Sequence, residues 1–404
     1  MLNYLYKMHS LEKISERLLA VTETDIRRYL YPEINFDARL IVITGCRGVG
    51  KTTLLKQYLK ENSNTKTAIY FSLDHLYFSK NTLLETVEEL YDRGYRRFGI
   101  DEVHKYEGWS RELKNIYDSL PDVKVLVTSS SALDVMEGVG DLSRRADVYN
   151  LKGLSFREFL IFEGMESFPV ISIDELTVNH TEIAQELLTK HPELTKKFKN
   201  YLRNGYYPFY KEAGRKYNDR LQAMINQVIE VDLPPIFNID YSSVRQIKKL
   251  LGLLSELVPY SPNIQKISDQ LNIPRQRVLV FLDYLDRADV LNALKAPQKS
   301  DSALTKPDKV FLENSNLIHA LAMTEPNTGT ERETFFMNVV GAKNTLSFPV
   351  RGDFMVNDKY VFEVGGKNKS MHQIYGMPNA FLAKDGIDEG YGSTIPLWLF
   401  GFGY

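Results

Sequence analysis

A continuous apolar run, Leu40-Ile41-Val42-Ile43, leads directly into Gly45-Cys46-Arg47-Gly48-Val49-Gly50-Lys51-Thr52, and then into the amphipathic opening Thr53-Leu54-Leu55. This succession predicts a strand covered on both faces, a glycine loop and a helix start. The octet fits G-x-x-x-x-G-K-[ST] without a mismatch. Gly45, Gly48 and Gly50 can take positive φ and carry no Cβ, so successive backbone N–H groups can turn inward around phosphate oxygens at a helix N-terminus. The segment from Gly45 through Thr53, including Cys46, Arg47 and Val49, is therefore assigned to nucleotide binding. Lys51 supplies a point charge for the β- and γ-phosphates of ATP, and the Thr52 hydroxyl is placed to ligate Mg²⁺.

Further β-rich runs follow at Thr67–Leu73, Arg97–Asp101, Val123–Ser129 and Val148–Leu151, with helical patterns between them. Alternation of this kind predicts an α/β unit with a parallel sheet and crossover helices. The run Phe98-Gly99-Ile100 ends in the acidic pair Asp101 and Glu102. Ligands of such sheets gather at the carboxyl ends of the strands, so Asp101 is assigned to Mg²⁺ and Glu102 to the general base that activates water. The next run ends in Thr128-Ser129-Ser130-Ser131. A hydroxyl there either senses the γ-phosphate, for which Ser130 is taken, or caps the following helix. Arg144 and Arg145 are candidates for an arginine finger that reaches a neighbouring subunit, with a salt-bridged surface pair as the alternative. Residues 9–30 read as a helix or two leading into the sheet.

Composition narrows the class. The chain has 404 residues, which favours two or three domains, and its 43% hydrophobic and 25% charged residues suit a soluble globular protein. A net charge of -2 gives no global attraction to nucleic acid or to an anionic membrane. Charged residues interrupt the N-terminal apolar positions, and no apolar run reaches the length of a membrane span, so the expectation is a cytoplasmic protein without a signal peptide. The single cysteine, Cys46, excludes an intramolecular disulfide and reads as a small filler of the loop.

The order of these parts carries a resemblance. The phosphate loop, an intervening strand, Ile100-Asp101-Glu102-Val103-His104-Lys105, Trp109 with Glu112-Leu113-Lys114, a serine-ended strand, Arg144-Arg145 and Leu154-Ser155-Phe156-Arg157-Glu158-Phe159 resemble prokaryotic AAA+ ATPases. In particular they resemble those joined to a C-terminal domain of unknown function similar to PD-(D/E)xK nucleases. The resemblance implies a helical lid after the sheet, matching the patterns at 182–190 and 219–231, with Arg203 a candidate to touch nucleotide. The expected architecture is an AAA+ domain with lid over residues 1–235, a winged helix over 236–323 and a small α/β restriction-endonuclease-like domain over 324–404.

In the middle region, Ile264–Leu271, the turn Asn272-Ile273-Pro274 and Arg275–Ala288 read as a helix-turn-helix, followed by a hairpin at Val290–Leu294 and Val310–Leu312 as the wing. Residues 241–300 hold nine basic against five acidic residues, and Arg275 and Arg277 stand at the start of the second helix. DNA contact and a plain spacer role remain the two readings. After a linker at 324–330, a helix over Glu331–Val340 and strands at Thr345–Pro349, Phe354–Val356 and Tyr360–Val364 are expected. A three-residue loop, Asn357-Asp358-Lys359, would pair Asp353 with Glu363, Phe354 with Phe362 and Val356 with Tyr360. A two-residue loop would send the two carboxylates to opposite faces. The first register collects the apolar residues on one face and is preferred. Paired carboxylates favour a hard cation between them, so Asp353 and Glu363 are candidate Mg²⁺ or Mn²⁺ ligands. The resemblance adds Glu333 as a further acid, but Gly365 occupies the place of the nuclease lysine. Lys367 or Lys369 would have to substitute, and Gln373 either completes the site or caps a helix.

The function expected is Mg²⁺-dependent ATP hydrolysis that drives a conformational or assembly switch in a homo-oligomer, acting on or near DNA. The alternatives are a nucleotide-gated DNA-binding regulator with slow hydrolysis, and an ATPase-gated metal-dependent nuclease.

Overall fold

The computed structural model describes residues 2–62, 67–129, 142, 144–257, 259, 261–297, 305–322 and 326–404, with backbone alone for residues 2–7. The chain divides into two compact units, Met1–Lys152 and Gly153–Tyr404. Among the described residues, no helix is long and apolar enough to cross a membrane.

The first unit is a parallel sheet in the order β2-β3-β4-β1-β5, with β1 at Leu40–Thr44, β2 at Ala68–Ser72, β3 at Arg97–Asp101, β4 at Lys124–Thr128 and β5 at Asp147–Asn150. Every residue of β1 is buried, as expected of a strand inside a two-faced sheet. The crossover helices are α2 (Lys51–Glu61), α3 (Leu83–Asp92) and α4 (Trp109–Ser119). Gly99 lets α2 lie close on β3, because a Cβ there would stand 2.4 Å from Leu59 Cδ1 and 2.6 Å from Leu55 Cδ2. The apolar faces of α3 and α4 close the core with Leu83, Val87, Leu90, Leu113 and Ile116.

The lead-in differs from the sequence expectation of helix up to residue 30. The helix α1, Leu2–Ala20, stops ten residues earlier, and the following segment is irregular apart from a short turn at Tyr31–Glu33. Tertiary donors have taken over backbone acceptors of this segment. The Gln57 amide donates to Glu23 O and Ile26 O, both at 2.9 Å. The helix itself covers the edge of the sheet, where the backbone N–H of Tyr70 donates to Ser15 Oγ at 2.9 Å.

In the second unit, a helical stretch that includes Ile173–Lys190, Leu194–Asn204 and Tyr217–Gln227 precedes a helix-turn-helix and two sheets. Ile264–Leu271 and Arg275–Arg287 are joined through Asn272, which takes the left-handed conformation at φ 53° and ends the first helix. The strands β6 (Leu291–Leu294) and β7 (Lys309–Leu312) form the antiparallel hairpin, pairing Leu291 with Leu312 and Leu294 with Lys309. The C-terminal sheet has the order β12-β11-β10-β9-β8, with β8 at Leu346–Ser347, β9 at Phe354–Val356, β10 at Tyr360–Gly365, β11 at Ala380–Lys384 and β12 at Thr394–Pro396. Its β9–β10 register pairs Tyr360 with Val356 and Phe362 with Phe354, as the three-residue loop requires. The preceding helix begins at Thr328, inside the stretch expected as linker, because the Asn327 side chain accepts from Gly329 N at 2.7 Å and caps it.

A fully buried carboxylate, Glu313, links these parts. It accepts from Tyr206 Oη at 2.7 Å, Asn338 Nδ2 at 2.8 Å and Asn314 Nδ2 at 2.6 Å. Asn316, beside it, accepts from the Tyr206 backbone at 2.8 Å and from Tyr217 Oη at 2.6 Å. Neutral donors from the helical stretch, the strand end and the C-terminal helix thus stand around one buried charge.

Asp286, on the helix before β6, accepts from Ala293 N at 2.7 Å, and burial raises its carboxyl to about 6. An acid whose folded pKa is raised favours the fold while protonated, and that contribution fades as pH rises from its unfolded value near 4 through about 6. Asp286→Asn should therefore stabilise the full chain at pH 7.5 by on the order of 2 kcal/mol and leave stability at pH 4 unchanged. Thermal melts at the two pH values check this, and equal shifts at both would refute it.

Candidate functional site

The phosphate loop turns between β1 and α2 with Gly45 at φ 140°, Gly48 at 84° and Gly50 at 100°. At Gly45 the constraint is doubled, because a Cβ would stand 2.2 Å from Leu151 O. The Lys51 ammonium lies inside the loop, donating to Gly45 O at 2.7 Å and Cys46 O at 2.9 Å. Cys46 and Val49 are buried, whereas Gly48 and Thr53 are exposed and Arg47 is half-buried. From the far side Arg28, itself buried, donates to Val49 O and, at 2.7 Å, to Lys152 O. This arginine braces the loop against the end of the sheet. Its distance from the motif in sequence gave no signal for that role.

The acidic strand meets the loop at Asp101. Thr52 Oγ1 donates to its carboxylate, 2.9 Å from Oδ2 and 3.1 Å from Oδ1. Tyr70 Oη donates to Oδ2 at 2.9 Å, and Thr128 Oγ1 donates to Oδ1. Three hydroxyls from α2, β2 and β4 thus converge on a carboxylate that is 4% exposed. Burial, and then the Asp101 charge, push the Tyr70 phenol well above its ordinary range, so it remains a neutral donor. Lys56 stands over the Tyr70 ring at 4.7 Å, its ammonium lowered by burial despite the attraction of Asp101. Sequence reasoning named Thr128 only as one possible phosphate sensor and missed Tyr70 altogether. Tyr70 lies on the neighbouring strand, and only the β2–β3 register, with Ser72 beside Asp101, brings it in.

Glu102 follows in the left-handed conformation at φ 55°. Its backbone N–H donates to Thr128 Oγ1 at 3.1 Å, and its Oε2 lies 3.1 Å from Nε2 of His104, whose side chain is only 2% exposed. Ser130, the expected sensor, lies outside the described residues. Arg145 is engaged with Asp118 at 3.0 and 3.1 Å, while Arg144 is exposed.

Thr52 and Asp101 are hard oxygen donors in mutual contact beside a lysine held in a glycine loop, a donor set that suits Mg²⁺ together with polyphosphate.

The second unit holds a separate charged cluster. The backbone N–H of Val364 donates to Asp353 Oδ2 at 2.9 Å and that of Asp353 donates to Phe362 O at 2.9 Å, so Asp353 continues the hairpin register toward Glu363. Lys309, from β7, pairs with Glu333 and lies 3.3 Å from Asp353. Lys369 pairs with Glu363, whereas Lys367 is exposed. Gln373, in the amide orientation that satisfies both groups, donates to Glu363 at 3.0 and 3.2 Å. Burial first, and Asp353 in addition, raise both Glu333 and Glu363. Burial would lower Lys369, but its contact with Glu363 outweighs that and raises it. Lys309 was not anticipated. It lies on a strand assigned to the wing, remote in sequence from the acids. Among the described residues, no group of three or more His, Cys, Asp or Glu is arranged to hold a metal ion. In the helix-turn-helix, Arg275 is exposed, while Arg277 donates to Ser243 Oγ at 2.7 Å and stands 3.6 Å from Asp240.

Residues 37–160 match the family model described as AAA domain, and residues 195–328 match a domain of unknown function, DUF8612. The chain is 26% identical over 388 residues to an uncharacterised protein of Methanocaldococcus jannaschii, covering 88% of this chain and 81% of that protein. Among solved structures, it is similar to AMPPCP-bound DnaA from Aquifex aeolicus at 18% identity, over 64% of this chain and 84% of that one, with a TM-score of 0.28. The Thermotoga maritima RuvB Holliday junction branch migration motor aligns at 13% identity, over 70% and 88% of the two chains, with a TM-score of 0.29. PCH-2 of C. elegans aligns at 20% identity, over 68% and 66%, with a TM-score of 0.25. Over residues 37–160 the family match, the phosphate loop and the parallel strand order together support an AAA-type P-loop ATPase domain.

Proposed function

We propose that this chain binds ATP with Mg²⁺ and hydrolyses it to drive a conformational or assembly switch. The observation that carries the reading is the contact between Thr52 and Asp101, which joins the phosphate loop to the acidic end of β3. Lys51 would leave the loop carbonyls for the β- and γ-phosphates, and Thr52 and Asp101 would hold the metal. Bound Mg²⁺ supplies charge neutralisation to the transferring phosphoryl group. Glu102 orients and deprotonates the attacking water.

Lys51→Ala should weaken ATP binding, because it removes a charge that acts already in the ground state. Glu102→Gln should keep binding within about twofold while lowering turnover by roughly a hundredfold or more, because its role belongs to the transition state. Calorimetric nucleotide titration and steady-state phosphate release separate the two defects. A Glu102→Gln protein with wild-type turnover would remove the general-base assignment.

We place the action on or near DNA, supported by the helix-turn-helix, its exposed Arg275 and the local excess of basic residues over 241–300. Duplex DNA is then expected to change ATP turnover, and this response should weaken as salt rises. Binding of DNA with negligible turnover under every condition would favour the nucleotide-gated regulator instead.

For the C-terminal sheet we read a nuclease-like module retained for binding, supported by Lys309 and Lys369 already sitting on its three carboxylates. Mn²⁺ should leave the melting temperature of the full chain unchanged, and duplex DNA should stay intact. A Mn²⁺-dependent rise in melting temperature that Asp353→Asn abolishes, accompanied by cleavage, would establish the working nuclease in its place.

A further inference from the structure

We infer that Tyr70 is a positioning residue for the metal site, one whose phenol fixes the Asp101 carboxylate from the neighbouring strand. The inference rests on the reading in which Thr52 and Asp101 hold Mg²⁺. It deepens that reading by adding a residue that neither the phosphate loop nor the acidic strand end contains.

The phenol reaches Asp101 because of strand register. Tyr70 on β2 stands beside Gly99 on β3, and Ser72 stands beside Asp101. Tyr70 and Asp101 therefore lie on the same face of the sheet, separated along a diagonal of two residues. A short hydroxyl side chain at position 70 could not span that diagonal. A phenol does, and Tyr70 Oη donates to Asp101 Oδ2 at 2.9 Å. Gly99, the direct neighbour, has no side chain to stand in its way. The tyrosine is itself held in place. It is 6% exposed, its backbone N–H donates to Ser15 Oγ at 2.9 Å, and the Lys56 ammonium stands 4.7 Å from the ring centroid.

Of the three hydroxyls on Asp101, that of Thr52 is itself assigned to the metal. The other two serve to hold the carboxylate. Tyr70 donates to Oδ2 from β2 and Thr128 donates to Oδ1 from β4, so each oxygen has a donor, and the two come from opposite sides of β3. Two donors on two oxygens fix the plane of a carboxylate, which a single donor leaves free to turn about its last bond. That plane matters to Mg²⁺ more than to most ions, because Mg²⁺ demands near-ideal octahedral geometry. Donors that stand behind a ligating group aim it at the metal, and losing one typically costs about tenfold to a hundredfold in metal affinity or activity.

The test uses the full chain and the nonhydrolysable analogue AMPPNP, with its Kd measured by calorimetry in excess Mg²⁺ and again in EDTA. The ratio of the two Kd values reports how far the metal tightens nucleotide binding, with no turnover involved. Tyr70→Phe, which removes only the hydroxyl, should lower that ratio by roughly tenfold and leave the Kd in EDTA within about twofold of wild type. The Mg²⁺ concentration for half-maximal ATP turnover should rise in the same variant. Ser15→Ala, which loosens the same edge strand but spares the phenol, should leave the ratio unchanged. A wild-type ratio in Tyr70→Phe, alongside a ratio lowered by Asp101→Asn, would overturn the inference and leave the metal reading standing. A ratio lowered equally by Tyr70→Phe and Ser15→Ala would overturn it in favour of a general loosening of β2. A ratio that Asp101→Asn does not change would remove the metal reading itself, and this inference with it.

Discussion

The Asp101 carboxylate is the point on which the first unit turns. A buried carboxylate is costly to hold in a low-dielectric interior, and it persists where donors surround it. Here the donors are the hydroxyls of Thr52, Tyr70 and Thr128, drawn from the helix after the phosphate loop and from the strands on either side of β3. Each hydroxyl hydrogen bond to a charged acceptor is worth about 1.5–3 kcal/mol. The same contacts that make the charge tolerable therefore fix the helix start, the strand end and the neighbouring strands relative to one another. The three donors are neutral hydroxyls, so none of them brings a positive charge to the carboxylate.

The arrangement extends outward from that carboxylate in both directions. Thr128 uses one oxygen for two purposes, donating to Asp101 and accepting from the Glu102 backbone, so the turn at Glu102 is tied to the Asp101 carboxylate. On the other side Arg28 holds Val49 O and Lys152 O, bracing the phosphate loop from the lead-in segment. The irregular backbone of residues 21–38 is consistent with this, since its groups are engaged by tertiary partners and a continued helix could not offer them.

The second unit treats buried acids differently. Glu313 accepts from two amides and a phenol, neutral donors as at Asp101, but at full burial and among structural elements. Glu333, Asp353 and Glu363 are instead matched with Lys309 and Lys369. Ammonium partners neutralise the charge that a metal would otherwise compensate, and removing one partner of such a pair is costly because the other stays buried and unmatched. The contrast between hydroxyl-bound Asp101 and lysine-bound Glu363 is a physical difference between a carboxylate met by neutral donors and one met by an ammonium.

What the sequence by itself determined were the features written into adjacent residues. The glycine spacing of the phosphate loop, the acids ending a β-rich run and the turn at Asn272-Ile273-Pro274 are local, because backbone geometry and one-residue periodicity dictate them within a few positions. The β9–β10 register belongs with them: the apolar parity of Phe354, Val356, Tyr360 and Phe362 admits one pairing that buries them all, and that pairing is present. Only the tertiary structure decided which distant side chains complete each site. Tyr70 reaches Asp101 through strand register, Arg28 reaches Val49 through the path of the lead-in, and Lys309 reaches Glu333 and Asp353 through the seating of the hairpin strand β7. None of these partners lies at a fixed spacing from its target, and a single tyrosine, arginine or lysine carries no periodic signal. Their convergence is set by how the elements pack, and the choice of helix end at Ala20 follows from the same long-range competition for backbone groups.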